Sequence, residues 1–313
     1  MTTADRQFRS PDDGDSSSGA VLAYHAGALG DFVTTVPAFL AWRALHPGRR
    51  LVLLGRPAHG ALGIAAGLFD EARDAGSPRY ASLFSAQPSR EVLAEMSRFR
   101  AALAFARADS PLPASLAAAG IPEVLRQDPF PPAGGPHVVD FHLSLFPRES
   151  LAGVDRLPRL RFPRELTRAA RRLLPPGPAP VAVHPGSGSR RKNWPADRWK
   201  DLARDLLREG RRVVWVLGPA EEDFAAPAGA EVLRCGDLAV LACFFASCGL
   251  FVGNDGGAAH LAAASGCPVV ALFGPTDPAS WAPRGASVTV LRGESMEGIG
   301  GGEVLAACLG TAR

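Results

Sequence analysis

Short apolar runs bounded by glycine or proline alternate along the chain with longer stretches in which apolar residues recur every three or four positions. The first kind of segment predicts buried strands and the second predicts helices. Strands are expected at 21–24, 51–54, 101–106, 123–125, 181–183, 212–217, 231–233, 250–252, 269–273 and 287–291. Helices are expected at 32–45, 90–97, 112–118, 137–146, 164–174, 195–208, 238–247, 258–264 and 304–309. Strand–helix alternation predicts a mostly parallel sheet covered on both faces, and because the pattern restarts at Val181, two such domains are expected.

The segment between Pro147 and Pro180 breaks the pattern. Arg148, Arg156, Arg159, Arg161, Arg164, Arg168, Arg171 and Arg172 outnumber Glu149, Asp155 and Glu165, and prolines stand at 158, 163, 175, 176, 178 and 180. This reads as the interdomain connection. Its arginines form either a solvated face or a basic surface for anionic lipid headgroups or a phosphorylated acceptor. The expected division is a disordered leader at 1–19, a first domain at 20–160, a linker at 161–180 and a second domain at 181–313. The glycines before the last helix leave open whether that helix returns to the first domain.

Composition narrows the class. In 313 residues, 47% are hydrophobic and 21% charged, a globular balance, and a net charge of +3 gives no reason to expect a nucleic-acid partner. Residues 1–19 lack the apolar core of a signal peptide, and no apolar run reaches the roughly 18 residues of a membrane span, so a cytoplasmic location is expected. The cysteines lack metal-ligand spacing and read as reduced and buried. Lysine occurs only at 192 and 200 in an arginine-rich chain, which singles out Lys192.

Three turns carry candidate chemistry. Residues 250–276 read as strand, Asn254-Asp255-Gly256-Gly257 turn, helix, strand. Paired glycines admit a ligand close to the backbone, a helix start offers N–H groups to an anion, and His260 lies one turn in. Plain steric relief explains the same glycines, and both readings stand. Gly186–Lys192 supplies glycines, the hydroxyls of Ser187 and Ser189, and Lys192, a set suited to a diphosphate. It is not GxxxxGK[ST], and Arg190-Arg191 replaces the third glycine of a dinucleotide fingerprint. Asp31 follows Gly27 and Gly30 at a strand-to-helix turn, either as a helix cap or as a carboxylate facing the crevice beyond the first strand. Asp13-Gly14-Asp15 matches a DxD metal pattern, but its polar context favours a solvated leader. No GxSxG or HExxH occurs.

The segments HAGALGDFVTTVPAF, HPGSGSRRKNWPADRW, LGPAEEDF and GNDGGAAHLAAASGCPVVALFGPTDP stand in this order over about residues 20–285. Together they resemble glycosyltransferase family 9, the ADP-heptose:lipopolysaccharide heptosyltransferase-like family. The resemblance implies an α/β, GT-B architecture of two Rossmann-like α/β/α domains facing a central cleft, with the acceptor side at 20–160 and donor binding at 181–313. It implies inverting, metal-independent transfer of a sugar, heptose above all, from a nucleotide-diphosphate donor, ADP-heptose being typical. The implied acceptor is a lipopolysaccharide-core or other lipid-linked envelope glycan, with peripheral contact at the cytoplasmic face of the inner membrane and no cofactor.

Residue by residue, the resemblance implies Asp31 as the base that deprotonates the acceptor hydroxyl and Lys192 as the lysine at the donor diphosphate. Ser187 and Gly188 match the phosphate turn, with Ser189 beside them. Glu221 or Glu222 matches the carboxylate at the ribose, and Asp255, Gly256, Gly257 and His260 match the donor turn. Gly256 departs from the family's Ser or Thr, Gly188 lacks a hydroxyl, and the C-terminal segment lacks the cysteine-containing pattern of many members. Gly256 also fits a catalytically silent nucleotide-sugar-binding protein, and related architectures offer a GT-B nucleotide-sugar epimerase as a further alternative.

Overall fold

The apolar runs become strands of two separate parallel sheets, one of five strands and one of six. The computed structural model describes residues 19–173, 176–218, 221 and 226–311. The expected leader, apart from Gly19, lies outside them, as do the Asp13-Gly14-Asp15 pattern and Glu222. Packing divides the chain into two units: the chain up to Ala28 with Thr35–Arg156, and Leu29–Thr34 with Leu157 onwards.

The first sheet contains β1 (Val21–His25), β2 (Leu51–Gly55), β3 (Glu71–Asp74), β4 (Ala101–Phe105) and β5 (Glu123–Gln127), in the order β3-β2-β1-β4-β5. Sequence periodicity missed β3, because Glu-Ala-Arg-Asp has no apolar run. It exists as an edge strand on β2, and its charges are spent on one another: Arg73 pairs with Glu71 and Glu95, and Glu71 also takes Arg50. The single helix expected at 32–45 is instead α1 (Leu29–Thr34) and α2 (Val36–Leu45). Pro37 sits in the first turn of α2. In one continuous helix it would have lacked a donor and clashed with the preceding turn. The remaining helices here are α3 (Pro57–Ala65), α4 (Arg90–Met96), α5 (Leu112–Ala118) and α6 (Val138–Leu143).

The second sheet contains β6 (Val181–His184), β7 (Val213–Leu217), β8 (Glu231–Arg234), β9 (Leu250–Asn254), β10 (Val269–Phe273) and β11 (Val288–Arg292). Its order is β11-β10-β9-β6-β7-β8, so strand order reverses between β6 and β9. Its helices are α7 (Arg164–Arg171), α8 (Ala196–Arg208), α9 (Leu238–Phe245), α10 (Gly257–Ala264), α11 (Pro278–Trp281) and α12 (Gly301–Thr311). Trp194, Trp199, Trp215 and Leu206 form its core with Val252 and Leu272. A fully buried side chain of this size contributes about 1.5–3 kcal/mol. The last helix packs Val304 and Cys308 into this same core. Burial pushes the Cys267 and Cys308 thiols up to about 12, so these cysteines act as packing groups.

The expected α/β class with two Rossmann-like sheets is borne out. In each sheet the strand-order reversal marks the edge where open α/β proteins bind ligands, outside the carboxyl ends of the strands.

Candidate active site

At the reversal point of the second sheet, His184 of β6 pairs with Gly253 of β9, so the turns that follow both strands emerge side by side. Asn254 ties them together. Its amide Nδ2 donates to the carbonyls of Pro185 at 2.7 Å and Gly186 at 3.3 Å, while Oδ1 accepts from the Trp194 N–H at 3.0 Å. The side chain is 1% exposed and satisfies every group it meets.

The β6 turn is braced from within. Ser187 Oγ lies 2.6 Å from Asn193 Oδ1 and 2.8 Å from the Ser189 carbonyl, and it accepts from the Ser189 N–H at 3.3 Å. The Lys192 N–H donates to the same Ser189 carbonyl at 2.9 Å, closing the short 3₁₀ turn at Arg190–Lys192. Two residues on, Trp194 is anchored by its indole N–H on the Ile299 carbonyl at 3.0 Å and by an edge-on contact with Trp199. Lys192 is thus held between a locked turn and a core tryptophan.

Its ammonium donates to Asp255 Oδ2 at 2.7 Å. That oxygen also accepts from the Thr276 hydroxyl at 2.6 Å. Asp255, 4% exposed, follows directly on β9 and precedes the Gly256-Gly257 start of α10. Gly256 caps α10 in extended backbone and makes no side-chain cap bond. The α10 N-terminus therefore presents its positive end beside the Lys192 ammonium.

Each glycine of the turn has a different task. The nearest atoms to a Cβ on Gly256 would be those of Ser187 at 3.5–3.7 Å and the Asn254 carbonyl at 3.8 Å, which is ordinary contact. A Cβ on Gly257 would lie 2.8 Å from that of Leu29, so Gly257 lets α1 lie directly on α10. In return, a Cβ on Gly30 would come within 3.2 Å of the His260 ring. His260 is 6% exposed and forms part of this helix–helix seam. Asp31, next after Gly30, is half-buried in the first turn of α1, and its carbonyl accepts from Thr34 Oγ1. The helix bearing Asp31 therefore packs within the second unit, beside α10.

Glu221 reaches the same edge from the loop after β7. Its Oε2 accepts from the Gly218 N–H at 2.8 Å, and its carboxylate fills the space that a side chain on Gly186 would occupy. Gly188 is exposed with open space around its Cα, and Ser189 is half-buried. Of the expected site residues, the structure brings Lys192, Asp255, Ser187, Gly256 and Glu221 to one sheet edge, with Gly257 and His260 joined to the Asp31 helix. Sequence reading missed Asn254, Asn193 and Thr276. The signal was present: a polar residue closing the apolar run 250–253, and a hydroxyl just beyond the Gly274-Pro275 stop.

The corresponding edge of the first sheet has another character. His25, His59 and His142 are buried among Phe39 and Phe105 at the ends of β1 and β4. Burial, aided by the neighbouring histidines and Arg56, pushes His25 down to about 3. Burial likewise lowers His59 and His142 to about 4. His142 shares contacts with Thr35 Oγ1 at 3.3 Å and the Pro129 carbonyl at 3.2 Å. These are neutral packing histidines, so the His25 that opens the first motif is a core group.

The model of glycosyltransferase family 9 (heptosyltransferase) matches residues 121–299, more than half of the chain. Lipopolysaccharide heptosyltransferase 2 of Salmonella typhimurium is 34% identical over 116 residues, 32% of each protein. The chain thus spans about a third of the length of the curated relatives it matches. Among solved structures, E. coli ADP-heptose lps heptosyltransferase II superposes with a TM-score of 0.76 at 18% identity, covering 94% of this chain and 98% of that one. E. coli heptosyltransferase WaaC with ADP superposes with a TM-score of 0.68 at 21% identity, covering 94% and 100%. At these identities the likeness is one of fold.

Proposed function

Because the chain belongs to glycosyltransferase family 9, we propose that it is a heptosyltransferase that moves heptose from a nucleotide-diphosphate donor, ADP-heptose first, to a lipopolysaccharide-core or related envelope glycan. The observation that carries the reading is the Lys192 ammonium, 2.7 Å from Asp255 and next to the start of α10, where no side chain caps the helix. Such a place stabilises a diphosphate leaving group. The names of similar proteins, an ADP-heptose lps heptosyltransferase and a heptosyltransferase with ADP, support the same donor.

In the proposed reaction Asp31 accepts the proton of the acceptor hydroxyl. The hydroxyl oxygen attacks the anomeric carbon as the bond from that carbon to the phosphate oxygen breaks. Configuration inverts because attack and departure occur on opposite faces. The electron pair leaves with the nucleoside diphosphate, whose new charge meets Lys192 and the N–H groups of α10. With that charge supplied by the chain, the reaction needs no metal. Asp255 is acceptor-only and already takes two donors, so its role is to hold Lys192.

Peripheral contact with the inner-membrane surface belongs to the same reading. Arg164, Arg168, Arg171 and Arg172 are exposed and recur on one face of α7 and its end, where each arginine would contribute about 1 kcal/mol at an anionic surface. Among the described residues no helix is long and apolar enough to cross a membrane.

The deciding experiment measures transfer from ADP-heptose to a heptose-deficient core acceptor by wild type, Asp31→Ala and Lys192→Ala. Both variants should lose about a hundredfold or more. Equal turnover in all three would remove the assignment. Tight ADP binding with no transfer by wild type would instead favour a silent binding protein, the reading suggested by Gly256.

A further inference from the structure

Two donors converge on one oxygen. Asp255 Oδ2 accepts from Lys192 Nζ at 2.7 Å and from Thr276 Oγ1 at 2.6 Å. The second length is that of a charge-assisted O–H···O⁻ bond. We infer that Thr276 is a positioning residue for the donor lysine: its hydroxyl fixes the Asp255 carboxylate so that Lys192 stands at the start of α10 with hydrogens to spare. The inference rests on the reading of Lys192 as the diphosphate lysine.

The backbone prepares this arrangement. Asp255 is locked by its N–H on the Leu272 carbonyl at 2.9 Å, across the β9–β10 pair. Thr276 arrives from the end of the same β10, after the Gly274-Pro275 stop, and lies half-buried. Gly274 is required for that path, since a Cβ there would lie 2.8–3.0 Å from Met296. The backbone of Asp255 is therefore fixed, but its carboxylate still has a broad, two-fold torsion. A single partner on a lysine tether would leave that torsion loose. A second, short-tethered donor on the same oxygen selects one rotation.

The sharing also adjusts what Lys192 can give. An ammonium has three donors, and among the described residues its only partner is Asp255. An aspartate alone would hold the charge as a closed pair. With Thr276 drawing on the same oxygen, the carboxylate holds the ammonium less tightly, and the other two ammonium donors have no partner among the described residues. A phosphate arriving at the α10 N-terminus would then find both positive charge and free N–H groups already oriented, which is the condition for stabilising charge without reorganisation.

The test combines ADP affinity by calorimetry with steady-state transfer from ADP-heptose, using Thr276→Val, Thr276→Ser, Lys192→Ala and the double variant Thr276→Val/Lys192→Ala. Thr276→Val should lower kcat/KM about tenfold, the worth of one hydrogen bond to a charged group. Thr276→Ser should stay within about twofold of wild type, because it keeps the hydroxyl. In the Lys192→Ala background Thr276→Val should cost less than about twofold, since residues acting through one another are not additive. A full tenfold cost in that background, or a Ser variant as impaired as Val, would overturn the inference and leave the Lys192 reading intact. Wild-type ADP affinity and transfer in Lys192→Ala would overturn the Lys192 reading and this inference with it.

Discussion

Leu29 rests on the bare Cα of Gly257: a methyl group added at 257 would stand 2.8 Å from the Leu29 Cβ and 3.2 Å from the Gly30 N–H. The Asp31-bearing α1 and α10 are thereby held at backbone contact. Placement of the proposed base follows from a glycine for which the sequence left both ligand approach and steric relief open, and the second is what the structure shows. Gly257→Ala should push α1 outward and lower kcat by about tenfold to a hundredfold, the scale of a sub-ångström to 1 Å misplacement of a reacting group. Donor KM should move far less, because the α10 N–H groups stay in place. Steady-state kinetics with ADP-heptose decide it, and an unchanged kcat would show that α1 does not carry the reacting group.

Gly256 offers the opposite case. Its backbone is extended, at φ −175°, which any residue adopts, and its Cβ position is open to ordinary contact. Gly256→Ser should therefore fold normally and gain a few tenths of a kcal/mol from capping α10. A hydroxyl at this position also adds one hydrogen bond to a charged phosphate oxygen, so ADP should bind about tenfold more tightly. Calorimetry that found no gain would mean the N–H groups already saturate the ligand.

These two glycines show how far the sequence could be read. Their presence after an apolar run announced a strand–turn–helix, and β9 and α10 form one. Which glycine makes room for a distant helix depends on where α1 packs, and no local pattern records that. Asn254 was hidden for a related reason, since it reads as the polar end of a strand until its partners at 185, 186 and 194 are known. β3 was invisible because its side chains are satisfied by charge on Arg50, Arg73 and Glu95 in place of an apolar core. The two sheets, by contrast, followed directly from apolar runs whose β-branched and leucine content admits little else.

The buried histidines predict a pH window for stability. His25, His59 and His142 are held near 3, 4 and 4 by burial, against about 6.5 in the unfolded chain. The unfolded chain thus takes up protons first as pH falls. The stability these groups contribute is whole above about pH 6.5 and declines toward pH 4, by up to about 1.4 kcal/mol per pH unit for each histidine. Burial raises the Glu71 carboxyl, but hydrogen bonds and charge from Arg73 and Arg50 outweigh it and hold Glu71 below the usual glutamate value. Urea unfolding at about pH 7.5 and 5 should show a clear loss, reduced in His142→Asn. Equal stability at both values would mean the histidines are protonated in place.

The arginine stripe on α7 gives a prediction for the membrane reading. Wild type should float with vesicles containing anionic phosphatidylglycerol and not with neutral phosphatidylcholine, and release should follow as salt screens the surface. Replacing Arg164, Arg168, Arg171 and Arg172 together by Gln should abolish flotation and leave transfer to a soluble, delipidated acceptor unchanged. Flotation of the quadruple variant at wild-type levels would assign this face to solvent.

Asn254 supplies the sharpest separation of stability from function. Its amide holds the carbonyls of Pro185 and Gly186 and the N–H of Trp194, at 1% exposure. Asn254→Ala leaves these buried groups without partners, at about 1–3 kcal/mol each. Asn254→Asp keeps the acceptor for Trp194 but turns an oxygen toward two carbonyls, so it should be at least as damaging. The functional cost has a separate origin. Gly186 adjoins the Glu221 carboxylate, and Trp194 anchors the turn that carries Lys192, so loosening Asn254 frees both ends of the proposed diphosphate turn at once. At a temperature where the Ala variant remains fully folded by circular dichroism, ADP affinity should fall about tenfold, a loss of roughly 1.4 kcal/mol. If affinity were unchanged in the folded variant, the turn would be positioned by its own internal bonds, chiefly those of Ser187, and Asn254 would matter to stability alone.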